Sequence, residues 1–179
     1  MYNAAAMSRV EVVLSAVCLL FAIPSTAQDW GPLQFLLGAW TTDQPSTGAR
    51  PQGTGKFSFS PDLQGKVLVR KSYAEYPPEN GKPAYRHDDL MIVYHGSEDH
   101  LRAIYFDNEG HTIEYAVRAI ENGVVFESVG SAGEADYRLT YINAGADRAK
   151  LKFEIAPPGK SFATYIEASV HREISPNKN

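Results

Sequence analysis

The sequence has 179 residues, 44% of them hydrophobic and 11% aromatic, and 17 basic and 21 acidic side chains give a formal net charge of −4. This length suits one domain with a substantial core, and the composition is that of a folded globular protein. A mildly acidic chain without a basic block argues against nucleic acid and anionic membranes as partners.

The first 27 residues have the pattern of an export signal. Arg9 precedes an apolar run at 12–23, which a proline and small residues through Ala27 follow. A basic segment, a short apolar core and a small-residue cleavage site are typical of a secretory signal peptide. The run is shorter than the roughly 20 residues of a membrane-spanning helix, although an uncleaved anchor or a buried helix is the alternative. We expect a secreted or periplasmic protein that starts near Gln28, with no stable membrane insertion after cleavage.

The single cysteine, Cys18, lies inside this apolar run. A lipidated cysteine would end the run, so we expect Cys18 to leave with the leader. The mature chain then offers no disulfide, thiolate metal site or cysteine nucleophile.

After the leader, the spacing of leucines over 30–37 predicts one or two helical turns that lead into the first strand. The chain then alternates apolar and polar residues between Gly, Pro, Asn and Asp clusters, a pattern that predicts strands. Ten strands are predicted: Gly38–Asp43, Gly55–Ser60, Lys66–Tyr76, Tyr85–His95, Leu101–Asp107, Thr112–Ile120, Val124–Gly130, Asp136–Asn143, Ala149–Ala156 and Phe162–Ile174.

The connections between these strands are short and contain no long helical pattern, which excludes a parallel sheet. Asn122-Gly123 predicts a hairpin turn, because both residues tolerate positive φ. Ten sequential antiparallel strands favour an up-and-down barrel, since closure removes unpaired edges; a two-sheet sandwich is the alternative. We expect one all-β domain over 28–174, an antiparallel barrel of about ten strands with a short N-terminal helical turn, and a disordered tail at 175–179.

Two strands mix polar residues into an apolar face, as a ligand-holding lumen does. His87, Asp89 and Met91 share one face of their strand, and His111 and Tyr115 share a face of another. In the third strand, by contrast, the pattern predicts an apolar stripe of Val67, Val69 and Tyr73 opposite Lys66, Arg70 and Ser72.

Catalytic motifs are sparse. The sequence contains no G-x-S-x-G elbow and no H-E-x-x-H pair. A metal site or a haem ligand built from His87, Asp89 and His111 is conceivable, and such a haem- or metal-binding barrel, possibly enzymatic, is the alternative function. The Asp107–His111 stretch has acidic residues like a calcium loop, but a hairpin turn with Gly110 at positive φ explains it.

Three stretches resemble a known group of proteins: FLLGAW at 35–40, G-x-G-x-F at 53–57 and YFDNEGH at 105–111. They look like the DUF1579-type proteins and their lipocalin-like relatives in the calycin group of ligand-binding barrels, which are often exported in bacteria. The resemblance implies a barrel of eight to ten strands and a small apolar or amphipathic ligand, with no established catalytic residues. The haem-binding nitrobindins share the Gly-x-Trp opening, but their ligating histidine has no counterpart at 156–161.

The leading hypothesis is therefore an exported, non-enzymatic barrel that binds a small hydrophobic molecule in its lumen without a cofactor. Arg70 and His87 are the polar groups predicted to orient the ligand. The predicted apolar wall comprises Trp40, Phe57, Tyr73, Met91, Tyr115, Tyr137, Tyr141 and Phe153.

Overall fold

The computed structural model describes residues 29–43, 47–48, 53–79, 81–130 and 133–173. The predicted export signal and tail lie outside these residues. The elements are an N-terminal 3₁₀ helix (Gly31–Leu36), two three-residue 3₁₀ turns (Leu63–Gly65 and Ser97–Asp99) and ten strands: β1 (Gly38–Thr42), β2 (Thr54–Asp62), β3 (Val67–Tyr76), β4 (Tyr85–His95), β5 (Leu101–Asp107), β6 (Thr112–Ile120), β7 (Gly123–Ser128), β8 (Asp136–Asn143), β9 (Arg148–Ala156) and β10 (Ala163–Arg172).

The ten strands form a closed antiparallel barrel in which each strand pairs with its neighbours in sequence. Closure is made by β1 and β10, with Trp40 opposite Arg172 on one side and opposite Phe57 of β2 on the other. The predicted up-and-down barrel is confirmed, and the sandwich alternative is wrong, because the first and last strands share a hydrogen-bonded ladder.

Most strands end near the Gly, Pro, Asn and Asp clusters that predict turns, but the Asn122-Gly123 turn differs from its prediction in detail. Asn122 takes a φ of 56°, whereas Gly123 is the first residue of β7. Glycine is required there because a Cβ would approach the Tyr141 carbonyl oxygen to 2.1 Å. The glycine thus serves a close approach of strands, and the turn itself falls on Glu121 and Asn122.

The N-terminal helix closes one end of the barrel. Its Leu33 and Leu36 are fully buried, and the helix packs against β6 and β7. The indole Nε1 of Trp40 donates a hydrogen bond to the Leu36 carbonyl at 2.9 Å. Arg172 lies over the Trp40 ring at 4.4 Å and donates to the carbonyls of Leu37 and Phe35. These bonds satisfy carbonyls at the helix end that have no partner in the helix.

His95 also belongs to this closed end. The sequence places it beside a turn, where solvation is expected. Instead its ring packs against Trp30 at a centroid distance of 5.5 Å, and its Nδ1 pairs with Asp99 at 2.6 Å. Trp30, which precedes the N-terminal 3₁₀ helix, covers this imidazole. Such a tertiary contact cannot be predicted from strand periodicity.

None of the helices in the described part of the chain combines the length and the hydropathy that a transmembrane span requires.

Candidate functional site

The end of the barrel away from the helix contains a cavity of about 400 Å³. Its two opposite walls differ in character. Strands β8 to β10 supply an apolar wall, while β3 to β5 and the β5–β6 turn supply a polar one. The apolar side chains are Tyr137, Leu139, Leu151, Phe153, Ile155, Ile166, Ala168 and Val170, and the polar ones are Arg70, Ser72, His87, Asp89, Tyr105, Asp107, Glu109 and His111.

The inner part of the polar wall is an ion pair between Arg70 and Asp89. Their strands are neighbours, and both side chains point inward at 6% and 7% exposure. Removing two charges from water is costly, and only a close, hydrogen-bonded pair offsets that cost. Arg70 and Asp89 therefore neutralise each other inside the barrel.

Arg70 remains charged in this setting. Burial opposes its charged form, but Asp89, with Tyr141 and Tyr105, outweighs burial and raises the pKa of Arg70. Its guanidinium also lies 5.5 Å from the centroid of the Phe57 ring. Its Nε has no hydrogen-bond partner among the described residues.

Nearer the mouth, His87 connects a carboxylate to a hydroxyl. Its Nδ1 lies 2.8 Å from Glu109 Oε1, and its Nε2 lies 2.9 Å from the Tyr105 hydroxyl. That hydroxyl is also 3.2 Å from Asp107 Oδ2. The three contacts form one continuous chain from Glu109 to Asp107.

The proton on His87 sets the direction of this chain. An ionised Glu109 only accepts, so Nδ1 of His87 donates to it, and in a neutral ring Nε2 then accepts from Tyr105. In a protonated ring both nitrogens donate, and the Tyr105 hydroxyl turns to donate to Asp107. Protonation of His87 therefore transfers the Tyr105 hydrogen bond from the imidazole to the Asp107 carboxylate.

Asp107 organises the β5–β6 turn at the mouth. Its Oδ1 accepts from the backbone N–H groups of Glu109 and His111 at 3.0 and 2.9 Å, and its Oδ2 lies 2.9 Å from His111 Nδ1. Burial works against the carboxylate, but the hydrogen bonds from His111 outweigh it and hold the pKa of Asp107 below its ordinary value. Gly110 has a φ of 92°, as the hairpin interpretation predicts.

Three tyrosines around the polar wall remain protonated at physiological pH. Burial, as the largest cause, raises the pKa of Tyr105 and of Tyr115, and it raises the pKa of Tyr141 to about 12. Their hydroxyls are therefore neutral donors and acceptors, not sources of charge.

The predicted site residues separate into two groups. The cavity is bordered by Phe57, Arg70, Tyr73, His87, Tyr115, Tyr137 and Phe153. Trp40, Met91 and Tyr141 are inward but fully buried in the packed core below it.

Tyr73, which the sequence predicts to face the lumen, borders the cavity, but its ring packs on the side of β3 opposite Arg70. In register it lies opposite Lys56 and Asp88, which alternate with the inward residues. The Arg86 guanidinium covers the ring at 4.0 Å. The inward face of β3 is the one with Leu68 and Arg70, because a buried ion pair allows a charged residue to occupy the core face.

The proposed metal or haem ligands are brought only partly together. His87 Nε2 lies 3.9 Å from Asp89 Oδ2, whereas His111 pairs with Asp107 across its own turn. In the described ranges, no group of three or more His, Cys, Asp or Glu residues has the geometry to hold a metal ion.

Sequence reasoning missed Tyr105, Asp107 and Glu109 as members of the site. The sequence pattern places Asp107 in the turn alone, and Tyr105 enters only as part of the YFDNEGH motif. The alternation of β5 could have identified them. Tyr105 and Asp107 lie on the same face of β5, opposite Phe106, and β5 pairs with β4, whose inward face mixes polar and apolar residues.

Comparisons with known proteins bear on the fold. No family model and no curated protein sequence matches the chain. Among solved structures, the chain is similar to the S-type phycobiliprotein lyase CPES from Guillardia theta, with 12% identity and a TM-score of 0.50 over 80% of this chain and 92% of that one. At this identity the likeness shows the fold alone: the chain is a calycin-like ten-stranded barrel.

Proposed function

We propose that this protein is an exported barrel that binds a small hydrophobic or amphipathic molecule in its lumen without converting it chemically. The observation that carries the proposal is the cavity of about 400 Å³ between an apolar wall and a polar wall. Ligand pockets of this size, mostly apolar with a few placed polar groups, are typical of small-molecule sites. The solved neighbour that shares this fold is named as a phycobiliprotein lyase.

The polar wall supports binding more than conversion. Arg70 and Asp89 form an ion pair with each other, and His87 and Asp107 are engaged with neighbouring side chains. Groups held in this way orient a ligand by hydrogen bonds at its edge, while the apolar wall supplies the driving force for its burial.

The test is titration with phenylnaphthylamine, an uncharged apolar dye whose fluorescence rises on burial. We expect saturable binding by the wild type. Ala168 is inward on β10 and borders the cavity, while the next residue, Ser169, is exposed. Ala168→Phe fills the lumen and should weaken binding at least about tenfold, whereas Ser169→Phe should not change it.

Equal loss in both variants, or no saturable binding by the wild type, contradicts the proposal. Native mass spectrometry of protein purified from its own export compartment identifies any molecule carried in the lumen. Circular dichroism of Ala168→Phe controls for unfolding.

Export, and membership of the DUF1579-type proteins, are part of the same proposal. They are supported by the leader pattern at 1–27 and by the three motifs at 35–40, 53–57 and 105–111. Expression of the full chain in a bacterium, followed by fractionation and intact mass measurement, tests export. We expect a periplasmic or secreted product that begins near Gln28; an intact chain in the cytosol contradicts export.

A second candidate function is acid–base catalysis on the bound molecule. The continuous chain from Glu109 through His87 to Tyr105 favours it, because such a chain can move a proton at the Tyr105 oxygen. Incubation of the co-purified molecule with wild type and His87→Gln distinguishes the two functions. Release of an unchanged molecule from both supports binding alone.

A further inference from the structure

The charged side chains that line the lumen affect which ligands it can bind. This inference rests on the proposed binding function. A buried arginine inside an apolar barrel suggests a site for a carboxylate. Here, however, Arg70 is already paired with Asp89 inside the lumen, so its charge is compensated before any ligand enters.

Two further carboxylates stand between Arg70 and the mouth. Asp107, at 4% exposure, and Glu109 both border the cavity. Lys56, the other cationic side chain of the described cavity lining besides the histidines, is paired with Glu173. Besides the imidazoles of His87 and His111, the polar wall therefore holds three carboxylates and one guanidinium.

The inner end of the cavity offers a different group. The side chain of Arg70 is more than nine-tenths buried and borders the cavity, yet its Nε has no partner among the described residues. Buried polar atoms of this kind are satisfied in most native sites, so a neutral oxygen of a ligand is the partner that fits.

We propose that the lumen selects an amphiphile whose polar groups are uncharged or cationic, such as an alcohol or an amine on an apolar body, and discriminates against carboxylates. A carboxylate would enter a space of low dielectric that already holds excess negative charge, where repulsion is much stronger than in water. An ammonium or hydroxyl group instead donates to Asp107 or Glu109, and a neutral oxygen accepts at Arg70.

The test compares three probes that share one apolar body: pyrenemethylamine, pyrenemethanol and pyrenecarboxylic acid. Dissociation constants are measured by fluorescence at neutral pH and low salt, with Ala168→Phe to show that binding is in the lumen. We expect the amine and the alcohol to bind at least about tenfold more tightly than the acid, and the preference for the amine to weaken with salt.

Glu109→Gln removes one charge at the mouth, and Glu121→Gln removes one from the exposed turn at the opposite end of the barrel. Only Glu109→Gln should reduce the ratio between the dissociation constants of the acid and the amine. If the acid binds as tightly as the alcohol, or if both variants shift the preference equally, this inference is overturned while the binding function stands. If none of the probes binds in the lumen, the binding function fails with it.

Discussion

At the scale of single residues, the interior of the barrel is set by one buried ion pair. Asp89 and Asp88 are sequence neighbours on β4, yet one lies at 7% exposure against Arg70 and the other lies at 50% exposure against Arg86. The alternation of a strand thus gives two chemically identical side chains opposite energetic roles.

Loss of the Asp89 charge should therefore be far more costly than loss of the Asp88 charge. Asp89→Asn leaves the Arg70 charge buried without its partner, and we expect the free energy of unfolding to fall by about 3–5 kcal/mol. Asp88→Asn is the matched control and should cost about 1 kcal/mol or less. Urea unfolding followed by tryptophan fluorescence measures both values. Similar losses in the two variants would show that the inner pair is not structurally important.

Asp107 should make stability depend on pH in the acid range. Its folded pKa is depressed, so its contribution is complete above the pKa of the unfolded chain, near 4, and is lost as pH falls through the folded value. Asp107→Asn should be less stable than wild type at neutral pH by about 1–2 kcal/mol, and the difference should shrink below about pH 4. Asp136→Asn, at an exposed position, is the control. A difference that stays constant down to pH 2 contradicts the assignment.

At the scale of elements, the N-terminal 3₁₀ helix closes one end of the barrel, and its own stability depends on tertiary contacts. A six-residue helix has too few hydrogen bonds to be stable alone. Leu33 and Leu36 are fully buried in the barrel end, and Arg172 from the last strand caps its carbonyls. The first and last parts of the described chain are in this way joined at one place.

Shortening a buried side chain of the N-terminal 3₁₀ helix should destabilise the whole barrel. Leu36→Ala removes a fully buried side chain at the closed end and should lower the free energy of unfolding by about 2–5 kcal/mol. Leu63→Ala, at 67% exposure, should change it by about 0.5 kcal/mol or less. Thermal and urea unfolding of the two variants give the comparison. A Leu36→Ala barrel with unchanged stability would mean that the helix is dispensable.

The positions of the strands along the chain were also the most predictable feature of the structure. Alternation fixed the location of every strand, and β4, β5, β6 and β8 have the predicted bounds. The inward face was not always predictable. On β3 the apolar pattern favoured Val67, Val69 and Tyr73, but Arg70 occupies the inside, because its partner Asp89 comes from another strand and cannot be identified from β3 alone.

At the scale of the whole molecule, closure by β1 and β10 joins two distant segments and encloses one lumen with two unlike ends. The closed end is filled by packed aromatic side chains such as Trp40, Phe59 and Tyr141. The other end retains the cavity. Stability and binding are thus divided between the two ends of one barrel.

A ligand that fills the lumen should therefore stabilise the entire fold. At a free concentration about 100 times its dissociation constant, a bound probe adds about 2.7 kcal/mol, which corresponds to a rise in Tm of roughly 5–10 °C for a domain of this size. Differential scanning fluorimetry with pyrenemethanol measures the shift. The shift should be absent in Ala168→Phe and preserved in Ser169→Phe; a shift in both variants points to binding outside the lumen.

The sequence by itself determined the class of the fold, because the period of the strands, the short turns and the absence of long helical patterns are local properties of the chain. It also predicted Phe57, Arg70, His87, Tyr115, Tyr137 and Phe153, which border the cavity. Only the tertiary structure decided which end of the barrel is filled and which polar groups meet. Those outcomes depend on register across β3, β4 and β5, where Arg70 meets Asp89 and His87 meets Tyr105, and no single strand carries that information.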